Sequence, residues 1–100
     1  MKISDFQKLM RDLYFHRDSE RGINRTFIWL VEEIGELANL IKYENIEKKQ
    51  ISEEIADIIA WTNSLANLLD INIEIALLEK YPKKCIDDLE RLSKSNLVSF

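Results

Sequence analysis

Trp29-Leu-Val-Glu-Glu-Ile-Gly-Glu-Leu37 and Glu53-Glu-Ile-Ala-Asp-Ile-Ile-Ala-Trp61 are the two stretches that decide the fold of this 100-residue chain. Their acids and tryptophans are mirrored about position 45: Trp29 with Trp61, Glu33 with Asp57, and Glu36 with Glu54. Position 45 lies in a polar break between the two stretches. If both stretches are helices that fold back on each other, the four carboxylates meet at one level of a helical hairpin.

The composition predicts an all-α protein. Hydrophobic residues make up 46% of the chain, which contains two glycines and one proline, and this scarcity of chain-breaking residues favours helices. A chain of 100 residues forms one domain, small enough that oligomerisation would enlarge its core. We therefore predict a compact bundle of four to five helices over residues 1–100, with a loose tail at about 95–100.

Charge and cysteine content exclude several classes of protein. A net charge of -4 argues against a nucleic-acid partner, because such proteins carry basic surfaces that neutralise phosphates. With Cys85 as its single cysteine, the chain has no intrachain disulfide or cysteine-based zinc site. Charged residues such as Asp5 and Lys8 interrupt the start of the chain, and no apolar run approaches the roughly 20 residues of a membrane span. We expect a cytoplasmic protein with no membrane partner.

Apolar residues at helical spacing divide the chain into helices and short connections. We predict a first helix that begins with a Ser4–Gln7 capping box, a loop over 17–24, helices over about 25–43 and 51–69, a fourth helix over 73–80 that Asn72 caps and Pro82 ends, and an amphipathic stretch through Ile86, Leu89 and Leu92.

The acids lie close to the apolar faces of the second and third helices. On the second helix the stripe Leu30, Ile34, Leu37 and Ile41 is the predicted core face, and Glu33 falls at its edge. On the third helix Glu54 falls within the apolar arc and Asp57 at its border. An unpaired buried carboxylate costs several kcal/mol or stays protonated, so these acids need a partner.

A metal ion is the partner that the sequence favours. Neither 26–40 nor 51–69 contains a lysine or arginine. Glutamate pairs at i,i+3 on two antiparallel helices bring all-oxygen ligands together, which suits Mg²⁺ or Mn²⁺. A di-iron site needs two Glu-x-x-His motifs, and the single histidine, His16, lies outside both helices. The alternative is two solvated acidic helix faces, since single Glu-x-x-Glu motifs are common in acidic chains.

The paired motifs and their flanks resemble the MazG family of all-α nucleotide pyrophosphohydrolases. The resemblance extends from about residue 18 to 84, and its double motif, Glu-x-x-Glu and then Glu-x-x-Asp after 17 residues, is specific in combination. It implies hydrolysis of a nucleoside triphosphate to a monophosphate and pyrophosphate. Further, it implies that Mg²⁺ is held by Glu33, Glu36, Glu54 and Asp57, with Glu36 or Glu33 as the catalytic residue that orients or deprotonates water.

Four further residues are candidates for substrate binding. Trp29 and Trp61 lie beside the acids and could stack a base, although tryptophans at helical spacing more often belong to a core. Lys80 and Lys84 lie where family members carry basic or amide residues near the phosphates, or they are simply a charged helix end.

Other positions depart from the family pattern or lie beside it. Ser19 follows Arg17 and Asp18, where some relatives have an aromatic base-stacking residue, and Lys84 stands where an asparagine is expected. Both departures leave the base preference open. Glu32 and Glu53 adjoin the motifs, and we predict that they are solvated or support the ligands.

The third helix indicates an oligomer. Its apolar residues spread over about half the circumference, from Leu68 round to Ile59, which is more than one neighbouring helix covers. We predict a homodimer or homotetramer. Two alternatives to a nucleoside triphosphate pyrophosphohydrolase remain: a phosphoribosyl-ATP pyrophosphohydrolase, which resembles the family in fold and acidic sites, and a non-catalytic helical interaction module.

Overall fold

The computed structural model describes residues 1–42 and 46–81, together with Asp87 and Arg91. Within them the chain forms four α-helices and no strand: α1 (Ile3–Arg21), α2 (Ile23–Ile41), α3 (Lys48–Leu68) and α4 (Ile73–Lys80). The predicted all-α fold is confirmed. None of the described helices has the length and apolar composition that crossing a membrane requires. The predicted stretch through Ile86, Leu89 and Leu92 and the predicted loose tail lie outside the described residues.

The start of the chain and the first connection differ from the sequence prediction. The predicted loop over 17–24 is wrong: α1 continues to Arg21, α2 begins at Ile23, and only Gly22 separates them. Gly22 has φ 87° and ψ 165°, a conformation essentially restricted to glycine. The polar residues that suggested a loop include an ion pair buried in the last turn of α1, between Asp18 and Arg21.

Local hydrogen bonds set two helix starts. The predicted Ser4–Gln7 capping box is wrong, because α1 begins earlier and the Asp5 carboxylate accepts the backbone N–H of Lys2 at 2.9 Å. At α4 the prediction is confirmed, since the Asn72 side chain accepts the N–H of Ile75 at 3.0 Å. Such a side-chain cap satisfies one of the backbone donors that a helix start leaves without a partner.

The core is small and partly polar. Helices α2 and α3 form the most extensive packing, α1 covers both, and α4 packs mainly on α1. Among the described residues, the buried apolar side chains are Met10, Leu30 and Ala66, and the buried polar residues are Gln7, Asp18, Thr26, Asn63, Ser64 and Asn67. Much of the remaining apolar surface is therefore exposed in a single copy of the chain.

A buried amide network joins α1 to the connection between α3 and α4. Gln7 Nε2 donates to Asn67 Oδ1 at 3.0 Å and to the carbonyl of Ile71 at 2.6 Å. Gln7 Oε1 accepts the N–H of Ile73 at 2.9 Å, and Asn67 Nδ2 donates to the Gln7 carbonyl at 3.2 Å. One side chain on α1 thus fixes both the end of α3 and the start of α4.

Replacing Gln7 by leucine is expected to destabilise the fold by about 3 kcal/mol. The volume is nearly kept, but Asn67, Ile71 and Ile73 lose hydrogen-bond partners at buried or partly buried sites, each at about 1–3 kcal/mol. Urea denaturation measures the change, with Lys8→Leu at the adjacent exposed position as the control. Equal stability of the two variants would show that the network contributes little.

The apolar face of α2 is rotated from its predicted position. Leu30 is buried as expected, but Ile34 and Ile41 are 48% and 51% exposed, so the predicted core face is wrong for these two residues. The buried side of α2 turns instead towards Thr26 and Glu33. An exposed apolar line, the α2 stripe, remains along the whole helix: Ile23, Phe27, Val31, Ile34, Ala38 and Ile41.

Candidate metal centre

Helices α2 and α3 form the antiparallel hairpin that the mirrored motifs predict. At one level of the hairpin the indole rings of Trp29 and Trp61 make an edge-to-face contact, with ring centroids 5.4 Å apart and planes at 81°. About two turns further along α2, Glu36 lies close to Glu54 on α3. Both contacts pair residues at equal distances from position 45, so the helices pack in the register that the mirrored sequence predicts.

Three of the four predicted metal ligands converge. Carboxylate oxygens of Glu33, Glu36 and Glu54, one from each residue, all lie within 4.8 Å of one another. We call these residues the acid cluster. Asp57 is not part of it; this residue is exposed and lines the adjoining cleft. Its charge still acts on Glu33, because it helps to raise the pKa of that carboxyl group.

The acid cluster opens onto a polar cleft between the two helices. The cleft is lined by Glu36, Asn39, Leu40, Gln50, Glu53, Glu54 and Asp57. Sequence reasoning missed Asn39 and Gln50, whose amide oxygens are suitable ligands for a hard cation. The signal was present, since Asn39 follows Glu36 by three residues and Gln50 precedes Glu54 by four, both spacings that share a helix face.

Electrostatics within the acid cluster are unfavourable without a cation. A hydrogen bond with Glu54, then burial, then the charges of Glu54 and Asp57 raise the pKa of Glu33 from 4.5 to about 7, against the opposing effect of a hydrogen bond with Glu36. Of the two carboxylate oxygens of Glu54, Oε1 is buried and has no hydrogen-bond partner among the described residues. The ion pairs on α1, namely Lys8–Asp12, His16–Glu20 and Arg21–Asp18, involve none of these acids.

Comparison with known proteins identifies the family. The model of the MazG nucleotide pyrophosphohydrolase domain matches residues 21–87, which are 67 of the 100 residues. The chain belongs to the MazG family. The match includes the acid cluster, Asp57 and both tryptophans of this MazG domain, and it leaves out most of α1. Among curated proteins, no relative matches the chain.

The acid cluster of this MazG domain fits a divalent cation. Mg²⁺ binds oxygen at about 2.0–2.1 Å, so two ligands of one ion lie about 3–4 Å apart, and carboxylate oxygens within 4.8 Å of one another can reach that spacing by rotation of their side chains. Glu54 Oε1 is buried without a donor among the described residues, so it is available as a ligand atom. The donor set, oxygen alone, suits Mg²⁺ or Mn²⁺ rather than zinc or copper.

Without divalent metal, the stability of this MazG domain is expected to fall as pH rises from about 4.5 to 7. The folded-state pKa of Glu33 is raised, so its protonated form is favoured by folding. This stabilisation is fully present below the unfolded pKa and is lost as pH rises through about 7. Urea midpoints at several pH values measure the fall. The Glu33→Gln variant, which cannot ionise there, should show a flatter profile, and identical profiles would contradict the assignment.

Sequence reasoning also missed an arginine beside the tryptophans. The Arg21 guanidinium carbon lies 4.9 Å from the ring centroid of Trp29 and 4.7 Å from that of Trp61. Its Nη1 donates to Asp18 Oδ1 at 2.9 Å. The pocket outside it is lined by Arg17, Glu20, Arg21, Arg25, Trp29 and Trp61, and we call it the arginine pocket. No spacing in the sequence signalled this contact, because it joins the end of α1 to side chains of α2 and α3.

Only one of the two lysine candidates lies among the described residues. Lys80 ends α4, where its ammonium nitrogen lies 5.8 Å from the ring centroid of Tyr81, and no described contact joins it to the acids. Lys84 lies outside the described residues. Glu32 is exposed on α2, and His16 is exposed on α1, where it pairs with Glu20 at 3.1 Å.

Proposed function

We propose that this MazG domain is a Mg²⁺-dependent nucleoside triphosphate pyrophosphohydrolase that releases a nucleoside monophosphate and pyrophosphate. One observation carries the proposal: three glutamates from two helices meet around a buried carboxylate oxygen with no donor among the described residues. A purely structural hairpin gains nothing from this arrangement, because unpaired buried carboxylates destabilise a fold. Membership of a nucleotide pyrophosphohydrolase family supports the reaction class.

Glu33, Glu36 and Glu54 are the proposed metal ligands, and Asp57, one turn further along α3, is the proposed fourth. Mn²⁺ offers the same coordination chemistry as Mg²⁺ and is the alternative cofactor. When bound, the metal would offset the charge of the phosphates and lower the pKa of the attacking water. Asn39 and Gln50 line the same cleft and could orient ligands or bound water.

Glu36 and Glu33 have different proposed roles in catalysis. Glu36 is exposed to the cleft, so it can accept the proton of a water molecule that attacks the phosphoanhydride. The water oxygen forms a bond to phosphorus, the bridging P–O bond breaks, and pyrophosphate leaves with the electron pair. Glu33 is less exposed than Glu36, so its proposed role is mainly that of a metal ligand.

Contacts to the substrate beyond the acids remain predictions. For Trp29 and Trp61, the position of Arg21 over both rings favours an indirect contribution to binding. Lys80, at the end of α4, and Lys84, outside the described residues, remain predicted phosphate contacts. A cytoplasmic location likewise remains a prediction.

The proposed assembly is a homodimer formed through the α2 stripe, or a homotetramer that contains this dimer. The stripe runs from residue 23 to 41, about 27 Å along the helix at 1.5 Å per residue, and it contains no charged residue. Its members Phe27 and Val31 are about half exposed in one copy. A twofold axis pairs a patch with itself, so an uncharged, continuous stripe is suited to it.

Pyrophosphate release from a panel of ribo- and deoxyribonucleoside triphosphates, with and without Mg²⁺, tests the proposed function. We expect release from at least one nucleotide and none after Mg²⁺ is removed. A parallel assay with phosphoribosyl-ATP distinguishes the related enzyme. If no nucleotide reacts and Mg²⁺ leaves the thermal stability unchanged, the domain is the non-catalytic interaction module instead.

A further inference from the structure

The Arg21 side chain is held rigidly at the end of α1. It is only 10% exposed, and its partner, the Asp18 carboxylate, is 3% exposed. The Arg21 Nη1 also lies 3.4 Å from Thr26 Oγ1, on the first turn of α2. An arginine fixed by a buried carboxylate is pre-organised, so it loses little side-chain entropy when it binds a ligand.

Arg21 also occupies the aromatic surface that a base would use. Its guanidinium lies over the rings of both Trp29 and Trp61, within the distance of a cation–π contact. A base that stacked on these faces would have to displace the guanidinium and separate it from Asp18. Breaking a buried ion pair is strongly unfavourable, so the tryptophans are better suited to hold the arginine than to bind a base.

The guanidinium retains hydrogen-bonding capacity. Arginine carries five N–H donors, and the contacts of Arg21 to Asp18 and Thr26 use only those of Nη1. In the described part of the chain no acceptor contacts its other N–H groups. Asp18 Oδ2 is likewise buried without a partner there. Arg17 and Arg25 line the same pocket and add positive charge.

The arginine pocket adjoins the acid cleft. Asp57 lines the cleft of the acid cluster and also a second cavity that contains Asp18 and Arg21. Trp61 follows Asp57 by one helical turn, about 6 Å along α3. A substrate with several phosphates could therefore bind the acid cleft with one phosphate and extend towards the Arg21 guanidinium with another.

We propose that Arg21 binds a phosphate group of the substrate, with Asp18, Trp29 and Trp61 as the residues that position it. The choice of a phosphate follows from the chemistry, since a guanidinium with free N–H groups binds phosphate through paired, charge-assisted hydrogen bonds. The base then lies elsewhere. The inference rests on the proposed function for the identity of the substrate, but inorganic pyrophosphate alone serves as the probe.

Tryptophan fluorescence tests the proposal directly, because the two tryptophans of the chain, Trp29 and Trp61, both contact Arg21. Inorganic pyrophosphate, titrated in Mg²⁺-free buffer, is expected to give a saturable change in emission. Adenosine and thymidine, which lack phosphate, are expected to give none. A saturable response to the nucleosides with none to pyrophosphate would establish base stacking and overturn the proposal.

Two variants separate binding from folding. Arg21→Gln alone leaves Asp18 buried and unpaired, so the double variant Asp18→Asn with Arg21→Gln is used to keep a neutral hydrogen-bonded pair. We expect it to remain helical by circular dichroism and to bind pyrophosphate about 10- to 100-fold more weakly, the usual range for a lost charged hydrogen bond. Arg21→Lys keeps the charge and should lose less. The control is Arg11→Gln, an exposed arginine on the same helix over Phe15.

The outcomes distinguish this inference from the proposed function. Pyrophosphate binding that depends on Arg21, without hydrolysis of any nucleotide, supports the phosphate site and rejects the enzyme. Hydrolysis with an unchanged KM in the folded double variant supports the enzyme and rejects the phosphate site. If the enzyme activity and the phosphate site are both correct, the double variant raises KM more than it lowers kcat, whereas the Arg11→Gln control changes neither.

Discussion

Glu33→Gln is expected to lower Mg²⁺-dependent pyrophosphate release by about 10²- to 10³-fold. The substitution keeps the size of the side chain but removes the charge of a proposed ligand, whose carboxylate lies within 4.8 Å of those of Glu36 and Glu54. A bound metal contributes several kcal/mol of transition-state stabilisation, and each 1.36 kcal/mol corresponds to a factor of ten in rate. Steady-state assays of pyrophosphate release at saturating nucleotide measure the loss.

The neighbouring residue provides a matched control. Glu32→Gln is the same substitution one position earlier on α2, at an exposed carboxylate outside the acid cluster, and it should leave the activity within about twofold. Thermal denaturation of the metal-free proteins at pH 8 guards against loss of folding, since Glu33→Gln should be at least as stable as the parent. Equal activity of the two variants would reject the metal site.

Ile34→Asp is expected to convert the assembled protein into a monomer. Ile34 lies near the middle of the α2 stripe, and a twofold axis buries the new charge twice in each dimer. An effective penalty of several kcal/mol for each buried ion raises the dissociation constant by about 10³-fold or more. Light scattering coupled to size-exclusion chromatography at micromolar protein concentration measures the mass.

An exposed isoleucine away from the stripe is the control for this substitution. Ile46 is 54% exposed and precedes α3, so Ile46→Asp introduces the same charge without touching α2 and should leave the mass unchanged. If the parent protein is already a monomer at every concentration, the proposed assembly is wrong, whatever the variant does.

Most of the helical architecture could be predicted from sequence because it depends on local patterns. Apolar periodicity located the helices, and Asn72 marked the start of α4 correctly. The prediction of a loop over 17–24 was wrong because a polar run does not reveal whether two of its members, Asp18 and Arg21, form a buried pair. The core face of α2 was misplaced at Ile34 and Ile41, since apolarity alone does not separate a face that packs within the chain from one left exposed.

The part of the candidate site that lies within the α2–α3 hairpin could be predicted from the two motifs. The part that depends on α1 could not. Mirrored spacing about position 45 was enough to place Glu36 near Glu54 and Trp29 against Trp61. No local pattern connects Arg21 with the tryptophans, because that contact exists only when α1 packs across the hairpin. The residues are close in space but separated in sequence, and their residue types are individually common.

The single-residue junction at Gly22 restricts how the length of this chain can change. Most connections on protein surfaces tolerate insertions, but a junction of one residue cannot absorb an added residue without changing how the two helices meet. One extra residue between Arg21 and Ile23 would therefore displace Thr26 and Trp29 relative to Arg21 unless α1 moved as a unit. Insertions and deletions are consequently expected to accumulate at the α2–α3 connection. The number of residues between Asp18 and Trp29 should stay constant among sequences that keep this arrangement.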